Sequence, residues 1–128
     1  MRVTKKYMNT TLDRSGAART ARHLVTQWCC DARAGTQCCD TAVLLTSEIV
    51  TNALLHGCGA VRLGVQAIGL AVRVEVGDDE PRHPRTPAQD DDAEGGRGML
   101  IVDALASAWG VIDNALGKIV WFEIACQP

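Results

Sequence analysis

The segment AVLLTSEIVTNALLH, residues 42–56, is apolar around nearly its whole circumference when wound as a helix, yet it carries Glu48, Asn52 and His56 four residues apart. At roughly 100° per residue, each step of four advances only about 40°, so the three project from one side. The remaining residues, among them Val43, Leu45, Ile49, Val50, Ala53 and Leu54, suit a helix buried on several sides. A carboxylate there is costly unless a charge or a hydrogen bond meets it. A ligand site opening onto this stripe accounts for it, and the oxygens of Glu48 and Asn52 suit a hard cation such as Mg²⁺.

Length and charge narrow the setting. A chain of 128 residues is expected to form one domain, 1–128, with a real core. A net charge of −2 leaves no electrostatic footprint for nucleic acid or an anionic membrane. No apolar run approaches the roughly 20 residues needed to span a bilayer. The start, MRVTKKYMNTT, has no hydrophobic signal core. A cytoplasmic protein is expected. Cys29, Cys30, Cys38, Cys39, Cys58 and Cys126 include two adjacent pairs separated by seven residues, which is not zinc-ligand spacing. They are expected to be reduced and to behave as small hydrophobes. A disulfide between the Cys29/Cys30 and Cys38/Cys39 pairs is sterically open if the intervening loop folds back.

Local patterns give the elements. Residues 3–8 suit an edge strand. Ser15 is placed to cap a helix over 16–33, with Ala18, Ala21, Val25 and Trp28 on one face and Gly35 ending it. The second helix is expected over 38–56, stopping at Gly57 and Gly59. Val61, Leu63 and Val65, then Val72, Val74 and Val76, alternate with other residues around Gly69, which predicts an antiparallel hairpin. Residues 79–97 carry prolines, glycines and dense charge without periodicity, so a long loop is expected, its acidic run 90–94 facing water. A third helix is expected from about Gly98 to before Trp109, followed by strands at 109–112 and 118–124. Trp28, Trp109, Trp121 and Phe122 read as core or interface anchors, and Lys118 as solvent-exposed. The fold class that follows is α+β: a two-layer α/β sandwich, its mainly antiparallel sheet covered on one face by helices.

No GxxxxGK[ST] stretch or strand-linked GxGxxG is present, so a P-loop is excluded and a Rossmann site is not expected. Present instead are Glu48 and Asn52 on a helix, Asp78 at a strand end, and the run Gly95, Gly96, Arg97, Gly98 opening a helix. Helix N-termini carry free N–H groups and partial positive charge, and glycines admit phosphates to that backbone. Arg97 can add a charge-assisted contact.

The segments SEIVTNALLHG, VEVGDDEPRHP, EGGRGMLIVDALASAWGV and GKIVWFEI, in this order, resemble the boxes of GHKL-type, histidine-kinase-like ATPase domains. The resemblance spans about residues 12–125 and is nearest to the small anti-sigma-factor serine/threonine kinases abundant in actinobacteria. It implies ATP and Mg²⁺ as cofactors. It implies Asn52 as the metal ligand, Glu48 as general base or orienter of the nucleophile, and Asp78 as the partner of the adenine amino group. Gly96 and Gly98 would meet the phosphates, and residues 81–97 would form the ATP lid. It further implies transfer of the γ-phosphate to a serine of an anti-anti-sigma-type partner, sequestration of a sigma factor, and a homodimer.

One box departs from the pattern. Where the family has Asp-x-Gly-x-Gly, this chain has Asp78-Asp79-Glu80-Pro81, replacing flexible glycines with carboxylates that would repel phosphates if they pointed inward. That motivates a second expectation, a binding module on the same fold with weak or absent catalysis. A thiol- or metal-responsive switch built on the cysteines is a third.

Overall fold

The computed structural model describes residues 7–80, 93–115 and 117–126, the side chains of 93–98 excepted. Among the described residues, five strands form one antiparallel sheet: β1 (Tyr7–Leu12), β2 (Val61–Ile68), β3 (Ala71–Asp78), β4 (Ala108–Asn114) and β5 (Gly117–Ala125), ordered β1-β2-β3-β5-β4. Three helices, α1 (Ala17–Ala32), α2 (Thr36–His56) and α3 (Ala93–Leu105), pack on one face. The expected α+β architecture is the one observed.

Alternation sets which face is covered. Val61, Leu63 and Val65 of β2, Val72, Val74 and Val76 of β3, and Val120, Phe122 and Ile124 of β5 point into a core closed by Ala21 and Val25 of α1, Leu45, Ile49 and Val50 of α2, and Met99 and Val102 of α3. The period of two puts the intervening residues on the opposite face. There Arg73 bonds Glu75 at 2.9 Å and Glu123 at 2.8 Å, with its guanidinium 4.1 Å from the centre of the Trp121 ring. Trp121 is thus on the helix-free face, while Trp28 and Phe122 are in the core. The β2–β3 turn has Gly69 at φ 58°, as a two-residue hairpin with glycine first requires.

Several boundaries differ from expectation. β1 runs Tyr7–Leu12, not 3–8, because pairing from Tyr7↔Gln66 to Leu12↔Val61 buries Leu12 beside the core; residues 3–6 lie outside the described residues. Ser15 does not cap α1: its N–H donates to Asp13 Oδ1 at 3.1 Å, and Gly16 takes the N-cap position at φ 73°. α1 ends at Arg33 in the left-handed region rather than at Gly35. α3 begins at Ala93, five residues before Gly98, so residues 93–97 are helical rather than loop. Ala93 and Glu94 are good helix formers, and each following glycine costs only about 1 kcal/mol. The rest of the expected loop, 81–92, including its acidic run to Asp92, lies outside the described residues.

α2 is longer than the apolar run foreseen. Its 21 residues are long and apolar enough to cross a bilayer, but it is the central helix of the core, with Ala42, Leu45, Thr46, Ile49, Val50 and Ala53 buried against its neighbours.

The cysteines also depart from expectation. Cys38, in the first turn of α2, is joined to Cys126 beyond the end of β5, with Cα atoms 5.4 Å apart, within the usual range for a disulfide. The two segments meet because Cys126 N–H donates to Leu70 O and both ends pack at the same edge of the core. Neither cysteine pairs with Cys29 or Cys30. Burial pushes the Cys29 thiol up to about 12, and the adjacent Cys39 and Cys30 thiols add to the effect.

Candidate functional site

The polar stripe of α2 forms as its spacing requires. Glu48 and Asn52 are half-buried and His56 is exposed at the helix end. Ser47 receives a hydrogen bond from Arg22 of α1 at 3.0 Å, which places α1 on that flank. Glu48 is about 100° further round, so the stripe lies on the flank away from this contact. Among the described residues, nothing hydrogen-bonds to the side chains of Glu48 or Asn52. Two unpartnered oxygen donors, one helical turn apart and only half-shielded, are available to a ligand. Among the described residues no group of three or more His, Cys, Asp or Glu side chains can hold a metal ion. A cation bound at the stripe therefore needs oxygens from a ligand or water, which is the habit of Mg²⁺ with phosphates.

Asp78, the last residue of β3, is 1% exposed. Its partner across the sheet is Lys118 of β5, 4% exposed, whose Nζ donates to Oδ1 and Oδ2 at 3.1 Å each and to Glu80 O at 3.0 Å. Lys118 is therefore not solvent-exposed, correcting the sequence reading: directly opposite a buried carboxylate, its ammonium is drawn into the ion pair that makes that burial tolerable. Glu80 N–H adds a bond to Asp78 Oδ1 at 2.7 Å.

Gly57 joins this cluster. A Cβ there would lie 2.6 Å from Asp78 Cγ and 2.7 Å from Oδ2. The end of α2 thus closes on the carboxylate only because residue 57 has no side chain. In this way Asp78, from β3, is held against the C-terminal end of the helix that carries Glu48 and Asn52.

Asp79 and Glu80 bear on the altered box. Asp79 turns away from Asp78: Oδ2 accepts from Ala60 N–H at 3.1 Å, Oδ1 from Arg62 Nη2 at 3.2 Å, and Asp79 N–H donates to Cys58 O at 2.8 Å. These bonds fasten the α2–β2 connection to the exit of β3. Gly59, at φ 73°, leaves room for the Asp79 carboxylate, which a side chain would strike. The expected repulsion of phosphates by Asp79 therefore does not follow from its position.

At α3 the run Gly95–Gly98 lies in the first two turns. The first four N–H groups of a helix lack partners within it. From Ala93, Gly95 falls among these, and Gly96 and Gly98 do not. The side chain of Arg97 lies outside the described residues. Sequence reasoning missed Lys118 and Gly57 as members of the cluster. The signal for Lys118 was present in the register that two neighbouring strands ending at Asp78 and starting at Gly117 impose.

A sequence profile for the histidine kinase-like ATPase domain matches residues 12–124. Among solved structures, the RsbU and RsbW domains of Rv1364c from Mycobacterium tuberculosis match at 23% identity and TM-score 0.75, over 97% of this chain and 34% of that one. The SiaB–SiaC complex from Pseudomonas aeruginosa matches at 15% identity and TM-score 0.58, over 92% and 86% of the two chains. The histidine kinase domain of the blue-light activated histidine kinase from Erythrobacter litoralis EL346 matches at 23% and TM-score 0.55, over 88% and 59%. The chain spans about a third of the mycobacterial one. No curated protein matches the sequence.

Proposed function

The chain belongs to the histidine kinase-like ATPase family, and from that premise we propose that it binds ATP with Mg²⁺ and acts as a regulatory protein serine/threonine kinase of the anti-sigma-factor type. The observation that carries this reading is the pairing of two half-buried side chains on α2, Glu48 and Asn52, without hydrogen-bond partners among the described residues, with a buried carboxylate, Asp78, held at the end of that same helix.

Asn52 would ligate the metal through its amide oxygen, and Asp78 would accept a hydrogen bond from the adenine amino group. The start of α3, with the small residue Gly96, would lie against the phosphates. Gly98 and Arg97 complete the phosphate side in this reading, and residues 81–97 serve as the lid. Mg²⁺ held there would supply neutralisation of phosphate charge. Glu48 would take the proton of an incoming serine hydroxyl, for which it needs hydrogen-bond reach to that oxygen.

The sequence boxes support an anti-anti-sigma-type protein as the phosphate acceptor, a sigma factor as the sequestered partner, and a homodimer; a cytoplasmic setting is proposed alongside. Likeness to an RsbW domain and to one partner of the SiaB–SiaC complex agrees with a protein-binding role. The test is incubation with [γ-³²P]ATP, Mg²⁺ and a panel of purified anti-anti-sigma-type proteins. Label on a partner serine that disappears in Glu48→Ala is expected. Label persisting in Glu48→Ala overturns the base assignment. No label on any partner, with ATP still bound, favours the second reading, a binding module without useful transfer, which the Asp78-Asp79-Glu80-Pro81 box motivates.

A further inference from the structure

We propose that Cys29 and Cys39 form a reversible redox site: Cys39 takes up a small disulfide as a mixed disulfide, and Cys29 expels the adduct by closing a bond between α1 and α2. The site is independent of the nucleotide reading and lies at the start of α2, whereas Asp78 meets the other end of that helix. Helix packing sets the two thiols together. Residues 33–35 join α1 to α2, and so short a connection makes the helices antiparallel. Arg22 of α1 donates to Ser47 of α2 at 3.0 Å. Two turns on from Arg22 stands Cys29, and a little over two turns back from Ser47 stands Cys39, so the hairpin brings them level. The connection is closed by Ala34 N–H on Cys29 O at 3.0 Å and by Cys39 N–H on Gly35 O at 2.9 Å. Cys29 is 2% exposed within the core, and Cys39 is half-buried and packed against that core. The Cys39 thiol acts on that of Cys29 as a neighbouring charge and as a hydrogen-bond partner. Cys38, about 100° round α2 from Cys39, meets the end of β5 instead and is already joined to Cys126. Cys29 and Cys39 are both free.

The difference in burial assigns the steps. Cys39 is the one of the pair open to a reagent. Burial first, and then Cys39, push the Cys29 thiol up to about 12 and hold it protonated. Exchange runs through attack of a thiolate on a disulfide sulfur. Cys39, having released its proton to water, attacks one sulfur of a small disulfide R–S–S–R; that S–S bond breaks and one RS⁻ leaves. Cys29 then gives its proton to water and attacks the Cys39 sulfur, and the second RS⁻ leaves from it. The two leaving thiolates take up the two released protons. One small disulfide is thus reduced to two thiols while two protein thiols are oxidised to a disulfide, with no other reagent. Contact offsets the scarcity of the Cys29 thiolate, because groups held together react as though highly concentrated. Cys30 and Cys58 are exposed and outside the pair, so an adduct formed on them stays.

The test uses the full chain as Cys30→Ser/Cys58→Ser, with Cys38 and Cys126 joined, so that Cys29 and Cys39 are the remaining thiols. The folded protein is equilibrated with oxidised glutathione, and free thiols and retained glutathione are counted by intact mass after alkylation. Loss of both free thiols with no glutathione retained is expected. Adding Cys29→Ala is expected to trap one glutathione on Cys39. Glutathione retained on Cys39 with Cys29 present overturns the proposal. So does a Cys39 that reacts in urea but not in the folded chain. An adduct lost equally in Cys29→Ala also overturns it, since another sulfur would then be resolving Cys39. If Cys29→Ala does not fold by thermal melt, Cys29→Ser takes its place under the same criteria. Peptide mapping then places the new bond: Cys29 to Cys39 with Cys38 still on Cys126 supports the proposal, and Cys39 joined to Cys126 overturns it.

Discussion

At the scale of single residues, the cluster around Asp78 is governed by close approach. Gly57→Ala would put a methyl group 2.5 Å from Ala53 O and 2.6 Å from Asp78 Cγ, so the helix end or the carboxylate must move. Overpacking of this kind costs about 1–3 kcal/mol. Urea unfolding should show a lower midpoint by that measure; an unchanged midpoint would contradict the packing described. Asp79 makes the opposite prediction. Its carboxylate and Arg62 are both 42% exposed, and exposed pairs contribute about 0–1 kcal/mol. Because it is turned to Ala60 and Arg62, Asp79→Asn should alter ATP affinity by less than about threefold in titration, while a large gain would show that its charge repels phosphate after all. The placement of Glu48 and Asn52 on one side of α2 was legible because helical spacing is a local property. Gly57 was legible only as a helix stop, since its contact with Asp78 joins residues far apart in sequence. Lys118 was misread because exposure is the default for a lone lysine, and only the cross-strand register reveals its buried partner.

At the scale of elements, the crosslink between α2 and the end of β5 is the feature that spacing could not show. Cys38 and Cys126 are 88 residues apart, and closing a loop of that size stabilises by roughly 4.6 kcal/mol in the chain-entropy account. Dithiothreitol should therefore lower the urea midpoint of the oxidised wild type and leave that of the double variant Cys38→Ser/Cys126→Ser unmoved. Equal midpoints with and without reductant in the wild type would contradict the crosslink. The strands β2, β3 and β5 were legible because alternation of apolar residues is set by one covered face. The start of α3 was not, because Gly95, Gly96 and Gly98 weaken the local preference for helix, and burial of Met99 and Val102, a tertiary effect, anchors the helix they precede. β1 was displaced for a similar reason: its limits follow from pairing with β2, not from its own composition.

At the scale of the whole molecule, three helices cover one face of the sheet, and the other is tied by Arg73, Glu75, Glu123 and Trp121. The helix-covered side brings Asp78 to the C-terminal end of α2, where it packs against Gly57. This architecture was legible from the order of periodic segments, and the family from four boxes in sequence; the profile match over residues 12–124 establishes it. The partner was not legible, because a partner surface is a property of shape and exposed chemistry rather than of periodicity. The central claim is that the α2 stripe serves a metal–nucleotide complex. It is tested most directly by isothermal titration of the protein with ATP and Mg²⁺, repeated on Asn52→Ala. Binding by wild type that weakens at least about tenfold in Asn52→Ala, a loss of about 1.4 kcal/mol, is the predicted result. Equal binding by both proteins, or no heat and no thermal shift with wild type at millimolar nucleotide, would contradict it.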